Sequence, residues 1–232
     1  MSAPSETVTY PGDAGASLFL LTVRGRPAVA STEEARTTHN ATAAAPPSVA
    51  GARALGDLSH NVFTGIDNPG DILFIDLWNS MSGLGTFFGN PAVQESASHL
   101  FAERDAVVWG ATQGFGNFFL PLVAGTSIQA VGILRASVTS VEKAGDAFHA
   151  YASETINVGR MHGQASHSTW VRATGPGEEP STEVIGVDTW TDVEQMNAFY
   201  ALGLGYNHLG PVFAGEPATS IWQAAPGHWV EW

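Results

Sequence analysis

The stretch Asp71–Ser80, DILFIDLWNS, sets an aspartate and a tryptophan two positions apart inside an apolar run of strand character. A carboxylate in such a run is costly unless something pairs with it. Thr182–Asp192, TEVIGVDTWTD, carries the same sub-pattern in Asp188 and Trp190. Asp76 to Asp188, Trp78 to Trp190 and Phe88 to Tyr200 are each 112 residues apart, Arg24 to Arg135 is 111, Trp109 to Trp222 is 113 and His60 to His167 is 107. Ordered correspondences at a nearly constant offset point to an internal repeat.

Period and breakers give each half the order strand, helix, strand, strand, helix, strand. In the first half the strands fall near SLFLLTVR, LSHNVFTG, DILFIDLW and AVVWGATQ, with helices from STEEARTTHNATAAA and SGLGTFFGNPAVQESASHLFAE. In the second they fall near SIQAVGILRAS, ASHSTWVRA, TEVIGVDTW and TSIWQAA, with helices from SVEKAGDAFHAYASETI and DVEQMNAFYALG. This order is the ferredoxin-like βαββαβ unit, whose four-stranded antiparallel sheet carries helices on one face and leaves an apolar face for a second copy to cover. The expected division is a flexible segment over 1–16, a first repeat over 17–113, an apolar connector over 114–126 that packs between the halves, and a second repeat with a tail over 127–232. The tail APGHWVEW is expected to fold back over the body.

IDLWNSMSGLGTFFGNPAVQESASHLF and, over a shorter match, VDTWTDVEQMNAFYALG resemble a segment of the dimeric α+β barrel superfamily, which includes the antibiotic-biosynthesis-monooxygenase-like (ABM) domains. There a strand ending in an acidic residue and tryptophan leads into a helix opened by Ser or Asp. The resemblance implies an α+β fold with two antiparallel four-stranded sheets forming a barrel within one chain, and so a monomeric pseudo-dimer or a homodimer. It also implies an oxidoreductase of the monooxygenase type that needs no cofactor. Other members are isomerases, cyclases and, among tandem relatives, heme enzymes.

Composition narrows the choice independently. With 22 Asp and Glu against 9 Lys and Arg, a formal charge of −13 repels phosphate backbones, so no nucleic-acid partner is expected. No cysteine is present, which removes thiol nucleophiles, thiolate metal sites and disulfides. No apolar run reaches the length of a membrane span, and the first fifteen residues lack the charged and apolar regions of a leader. A soluble, cytoplasmic protein that binds a hydrophobic or aromatic small molecule is the expectation.

Strand alternation places Phe74, Asp76 and Trp78 on one face and Leu73, Ile75 and Leu77 on the other, with Asp188 and Trp190 grouped likewise. The aliphatic face suits the helices, so the aspartates and tryptophans are expected to point into the barrel. Arg24 and Arg135 are expected to meet Asp76 and Asp188 there, as ion pairs or as orienting partners. His60 and His167 are the candidate acids or bases, since an imidazole titrates near neutrality. The ligand walls are assigned to Trp78, Trp190, Phe74, Phe88, Tyr200, Trp109 and Trp222, with His39 and His149 on the first helices. No metal-ligand spacing occurs, and a heme would draw on His99 or His208.

Overall fold

The computed structural model describes residues 18–232. Its first half runs β1 (Phe19–Pro27), α1 (Thr32–Ala41), α2 (Pro46–Ala54), β2 (Asp57–Gly65), β3 (Ile72–Trp78), α3 (Met81–Phe88), α4 (Pro91–Leu100) and β4 (Phe101–Ala111). Its second runs β5 (Phe118–Phe119), β6 (Ala130–Ser137), α5 (Val141–Met161), β7 (Gln164–Arg172), β8 (Glu183–Trp190), α6 (Val193–Ala201), α7 (Tyr206–Leu209) and β9 (Ala218–Ala224). The expected segment over 1–16 lies outside the described residues.

Two compact units result. The first gathers residues 18–111, Arg172–Ser181 and Thr219–Trp232, and the second gathers Thr112–Val171 and Thr182–Ala218. In the first unit the antiparallel strand order is β4-β1-β3-β2, with β9 pairing along β2 through Phe63↔Ala224 and Gly65↔Trp222. In the second it is β6-β8-β7, with short β5 on the outer edge of β7. Within the connector, Phe115 and Phe118 are buried, whereas Leu122 and Val123 are exposed.

Side-chain caps start the helices where the sequence places Ser or Asp. Ser31, Ser80, Ser140 and Asp192 accept from the backbone N–H three residues on. The two long helices expected in the first half are each broken in two. Pro46 and Pro47 start a new helix after α1, and Asn90-Pro91 does so after α3. The second half has no proline at these points, and α5 runs unbroken for 21 residues.

The face assignment is corrected. Parity along β3 and β8 is as expected, but the face carrying Asp76 and Trp78 is the one that the helices cover. Trp78 packs against Phe87 and Phe88 of α3, with ring centroids 5.7 and 6.0 Å away. Leu21, Val23, Phe74 and Trp78 share a core with Ala35 of α1, Ala52 of α2, Leu84 of α3 and Leu100 of α4. Leu73 and Ile75 lie on the opposite face with Thr22, whose hydroxyl accepts from Trp109 Nε1 at 2.9 Å. An aromatic ring buries more apolar area than an aliphatic chain, so the Trp-bearing face is the better base for a helical layer.

A second shared feature is a bulge. Along β2 the register shifts between Asp57 and Ser59, so that Asp57 faces Trp78 and His60 faces Asp76. Along β7 it shifts between Gln164 and Ser166, so that Gln164 faces Trp190 and His167 faces Asp188. The extra residue in each strand brings the histidine onto the same face as the aspartate.

Candidate active site

His60 and Asp76 meet directly because of that register. His60 Nδ1 lies 2.6 Å from Asp76 Oδ1, and both side chains are about nine-tenths buried. On the other side of the ring, His60 Nε2 lies 2.9 Å from Nε2 of His39, which α1 lowers onto the sheet, and the two imidazoles stack at 5.1 Å. His39 Nδ1 lies 3.0 Å from Asn40 Oδ1. The Asn40 amide is oriented by its own partners, since Oδ1 accepts from the Val230 N–H at 3.0 Å and Nδ2 donates to the His228 carbonyl at 2.9 Å.

Those contacts determine where the protons sit. Asn40 Oδ1 can only accept, so His39 Nδ1 carries a proton. Burial, reinforced by the neighbouring His60, lowers His39 to about 4 and keeps it neutral, which leaves its Nε2 a bare acceptor. His60 Nε2 therefore donates to it while His60 Nδ1–H donates to the Asp76 carboxylate. Burial opposes a charge on His60, but the charge and hydrogen bond of Asp76, with Asp57 and Glu231 behind it, outweigh burial and raise its pKa. His60 is an imidazolium held between an anion and a neutral ring.

A cavity of about 540 Å³ opens beside this cluster, wholly within the first unit. Its walls are mainly apolar, with Phe74, Trp78, Phe87, Phe88 and Phe101 prominent, and Asp57, His60 and Asp76 line it together. Arg104 is the one basic residue in the lining apart from His60, and donates to Gln94 Oε1 at 2.6 Å. The tail folds back as expected. Trp232 stacks on His60 at 4.6 Å, its Nε1 donates to Asp57 Oδ2 at 3.1 Å, and its backbone exchanges hydrogen bonds with His60. Asp57 is 5% exposed, and its Oδ1 has no protein partner. Burial and the adjacent Asp76 raise its carboxyl to about 7.

The second unit repeats the pair but fills the space. His167 Nδ1 lies 2.6 Å from Asp188 Oδ1, and Tyr200 Oη donates to Asp188 Oδ2 at 3.0 Å. Gly132 stands opposite Asp188, where Leu21 stands opposite Asp76, and a Cβ there would collide with Tyr200 Oη. Phe118, Phe148 and Tyr151 crowd the His167 ring, whose Nε2 has no protein partner. Tyr200 and Tyr151 are raised above the ordinary tyrosine range by burial and by the charge of Asp188, so both remain neutral donors.

Several assignments change. Arg24 and Arg135 point to the face opposite Asp76 and Asp188; Arg24 pairs with Asp71 at 3.1 Å and Arg135 with Glu183. Trp109 and Trp222 do not line the cavity, and Trp222 instead lies under the Arg24 guanidinium at 5.1 Å. His149 is exposed on α5, one position away from Phe148, which takes the place over His167. Trp190 packs on Phe199 and Tyr200 in the core of the second unit. His99 is exposed on α4, and His208 pairs with Glu154 at 2.7 Å. Among the described residues, no group of three or more acidic or histidine side chains is disposed to hold a metal ion. Sequence reasoning misses Asp57, Asn40 and Trp232, although the 107-residue offset that aligns His60 with His167 also aligns Asp57 with Gln164.

No protein-family profile matches the sequence. No curated protein matches it either. Solved structures do. An anthrone oxidase-like protein superposes with a TM-score of 0.61 over 90% of this chain and 91% of its own, at 14% identity. The mixed α+β fold is shared with that structure. A candidate monooxygenase from Fusobacterium nucleatum subsp. nucleatum gives 0.59 at 8% identity, over 94% of this chain and 98% of its own. Another from Lactobacillus acidophilus gives 0.59 at 8% identity, over 91% and 97%. The likeness spans the residues of both units and concerns fold, since identities this low carry no residue across.

Proposed function

We propose that the protein is an ABM-like oxidoreductase, a monooxygenase that uses no cofactor and acts on a hydrophobic or aromatic small molecule in the cavity of the first unit. The observation that carries this reading is the buried cluster of Asp57, His60 and Asp76 on the wall of an apolar cavity of about 540 Å³. Similarity of fold to an anthrone oxidase-like protein and to candidate monooxygenases agrees with it. In such a reaction a ring methylene acidified by conjugation, through the flanking aromatic rings, with a carbonyl across the ring loses a proton. The resulting enolate gives its electrons to dioxygen. The methylene and one dioxygen become a ring carbonyl and one water, with the substrate as the only reductant: both methylene hydrogens and one oxygen atom leave as water, and the other oxygen atom stays on carbon. His60, held as an imidazolium, offers positive charge to the enolate in a site of low dielectric. The aromatic walls orient a flat substrate.

Within this cavity no residue suits an axial heme ligand. Both ring nitrogens of His60 are engaged, and neither His99 nor His208 lines the cavity.

Anthrone is the probe substrate. Oxygen uptake equal to anthraquinone formed, with one atom from isotopically labelled dioxygen in the product, is the expected result. His60→Ala and Asp76→Asn should each lower kcat by about 100-fold or more. Conversion of ring-carbonyl substrates without oxygen uptake would place the protein among isomerases or cyclases. Uptake no faster than in buffer across a panel of anthrones and hydroxynaphthalenes overturns the reading.

A further inference from the structure

Two buried groups beside the cavity have incomplete hydrogen bonding, the donor Trp78 Nε1 and the acceptor Asp57 Oδ1, whose residues face one another in the strand register. His39, His60 and Asp76 close on one another, and His60 has no free lone pair with which to take a proton from a ligand. Asp57 is different. The Trp232 indole donates to its Oδ2 and the Ser59 backbone N–H bears on the carboxylate, yet Oδ1 itself forms no hydrogen bond although the side chain is buried. A buried acceptor without a donor is unfavourable and calls for one.

The second unit supplies a contrast internal to the chain. Gln164 occupies the place of Asp57 at the same bulge, opposite Trp190 as Asp57 is opposite Trp78. There the His–Asp pair is retained, but tyrosine and phenylalanine fill the space beside it. An orphan acceptor occurs at both bulges, since Gln164 Oε1 also lacks a partner; what differs is that an ionisable acid stands beside the cavity and a neutral amide stands where aromatic rings take up the space. Trp232 shows what the acid receives: an aromatic ring stacked on His60 with a polar hydrogen directed at Asp57.

We propose that Asp57 is the proton acceptor of this cavity, and that an aromatic ligand engages it through an O–H directed at Oδ1, the oxygen that forms no hydrogen bond. This rests on the reading of the cavity as the substrate site and adds the residue that takes the hydroxyl proton of a phenol or of the enol form of such a ketone. In the step the ligand O–H bond breaks and an O–H bond forms on the Asp57 carboxylate, giving a phenolate or enolate and a neutral carboxylic acid with no change of oxidation state. The anion so formed lies beside the His60 imidazolium. Titratable and charged groups around Asp57 come from every layer: His39 on α1, kept neutral, His60 on β2, Asp76 on β3, Arg104 on β4 and Glu231 in the tail, while the cavity residues of α2, α3 and α4 are uncharged. A carboxyl raised to about 7 is matched to proton exchange near neutrality.

The test compares 2-naphthol with 2-methylnaphthalene, of the same shape but without the O–H, by calorimetric titration of the full chain. The wild type is expected to bind the naphthol more tightly, and Asp57→Leu to weaken naphthol by about 10- to 100-fold while leaving 2-methylnaphthalene unchanged. Trp232→Phe, which removes the N–H that shares the carboxylate through Oδ2, is expected to strengthen naphthol binding by up to about 10-fold. If Asp57→Leu does not fold, Asp57→Asn gives the answer through pH. Naphthol affinity should rise through about pH 7 in the wild type, as the carboxylate forms, and stay flat in the variant. Equal binding of both probes, unaltered in the Asp57 variants, overturns the role of Asp57 and leaves the cavity reading intact. Failure of the wild type to bind either probe overturns both.

Discussion

His39 and Asp57 impose opposite pH dependences on the stability of the first unit. His39 is lowered to about 4, so between roughly pH 6.5 and 4 the unfolded chain binds a proton that the folded chain does not, and stability falls as pH falls. Asp57 is raised to about 7, so between about pH 3.8 and 7 the folded chain holds a proton that the unfolded chain has lost, and stability falls as pH rises. Each effect is on the order of 3 kcal/mol across its window, and over the shared range they offset. Relative to wild type, Asp57→Asn should therefore lose stability on acidification from pH 6.5 to 4, and should gain at pH 8. His39→Gln should show the reverse trend between pH 4 and 6.5. Urea midpoints at several pH values check both, and parallel shifts in the two variants would refute the opposition.

At the scale of elements, alternation along β3 and β8 is readable from sequence, because period 2 groups Phe74, Asp76 and Trp78 whatever they pack against. Which face the helices cover is not readable, since both groups are apolar enough to serve. Proximity to a strand end suggests Asp76 as the partner of Arg24, yet antiparallel pairing sets Arg24 opposite Leu73 and leaves Asp71 within its reach. Asp57 escapes notice because it stands beside a bulge, and a bulge leaves no mark on hydrophobic period. Gly132 is equally silent, and its role is steric. Gly132→Ala should cost about 1–3 kcal/mol through the collision with Tyr200. Tyr200→Phe, which removes the colliding oxygen, should make the double variant less destabilised than the sum of the singles. Additive losses in denaturant melts would show that the two positions do not interfere.

Across the chain, the two units hold acid–base pairs of equal geometry in unequal surroundings. Histidine and aspartate lie 2.6 Å apart in each unit, but a cavity adjoins the first pair while aromatic rings crowd the second. Binding of 2-naphthol should accordingly slow amide hydrogen exchange in α2, α3, α4 and the Ala225–Trp232 segment, while α5 and α6 exchange as before. Protection centred on α5 and α6 would move the site to the second unit. No helix among the described residues is long and apolar enough to cross a membrane.

The two short histidine–aspartate contacts have a spectroscopic consequence. A proton in a short, buried nitrogen–oxygen bond exchanges slowly with water and is strongly deshielded, so each unit should contribute one proton NMR resonance downfield of the amide region. One chain then carries a reporter and its own reference. Ligand binding should displace the signal of His60 and leave that of His167 in place.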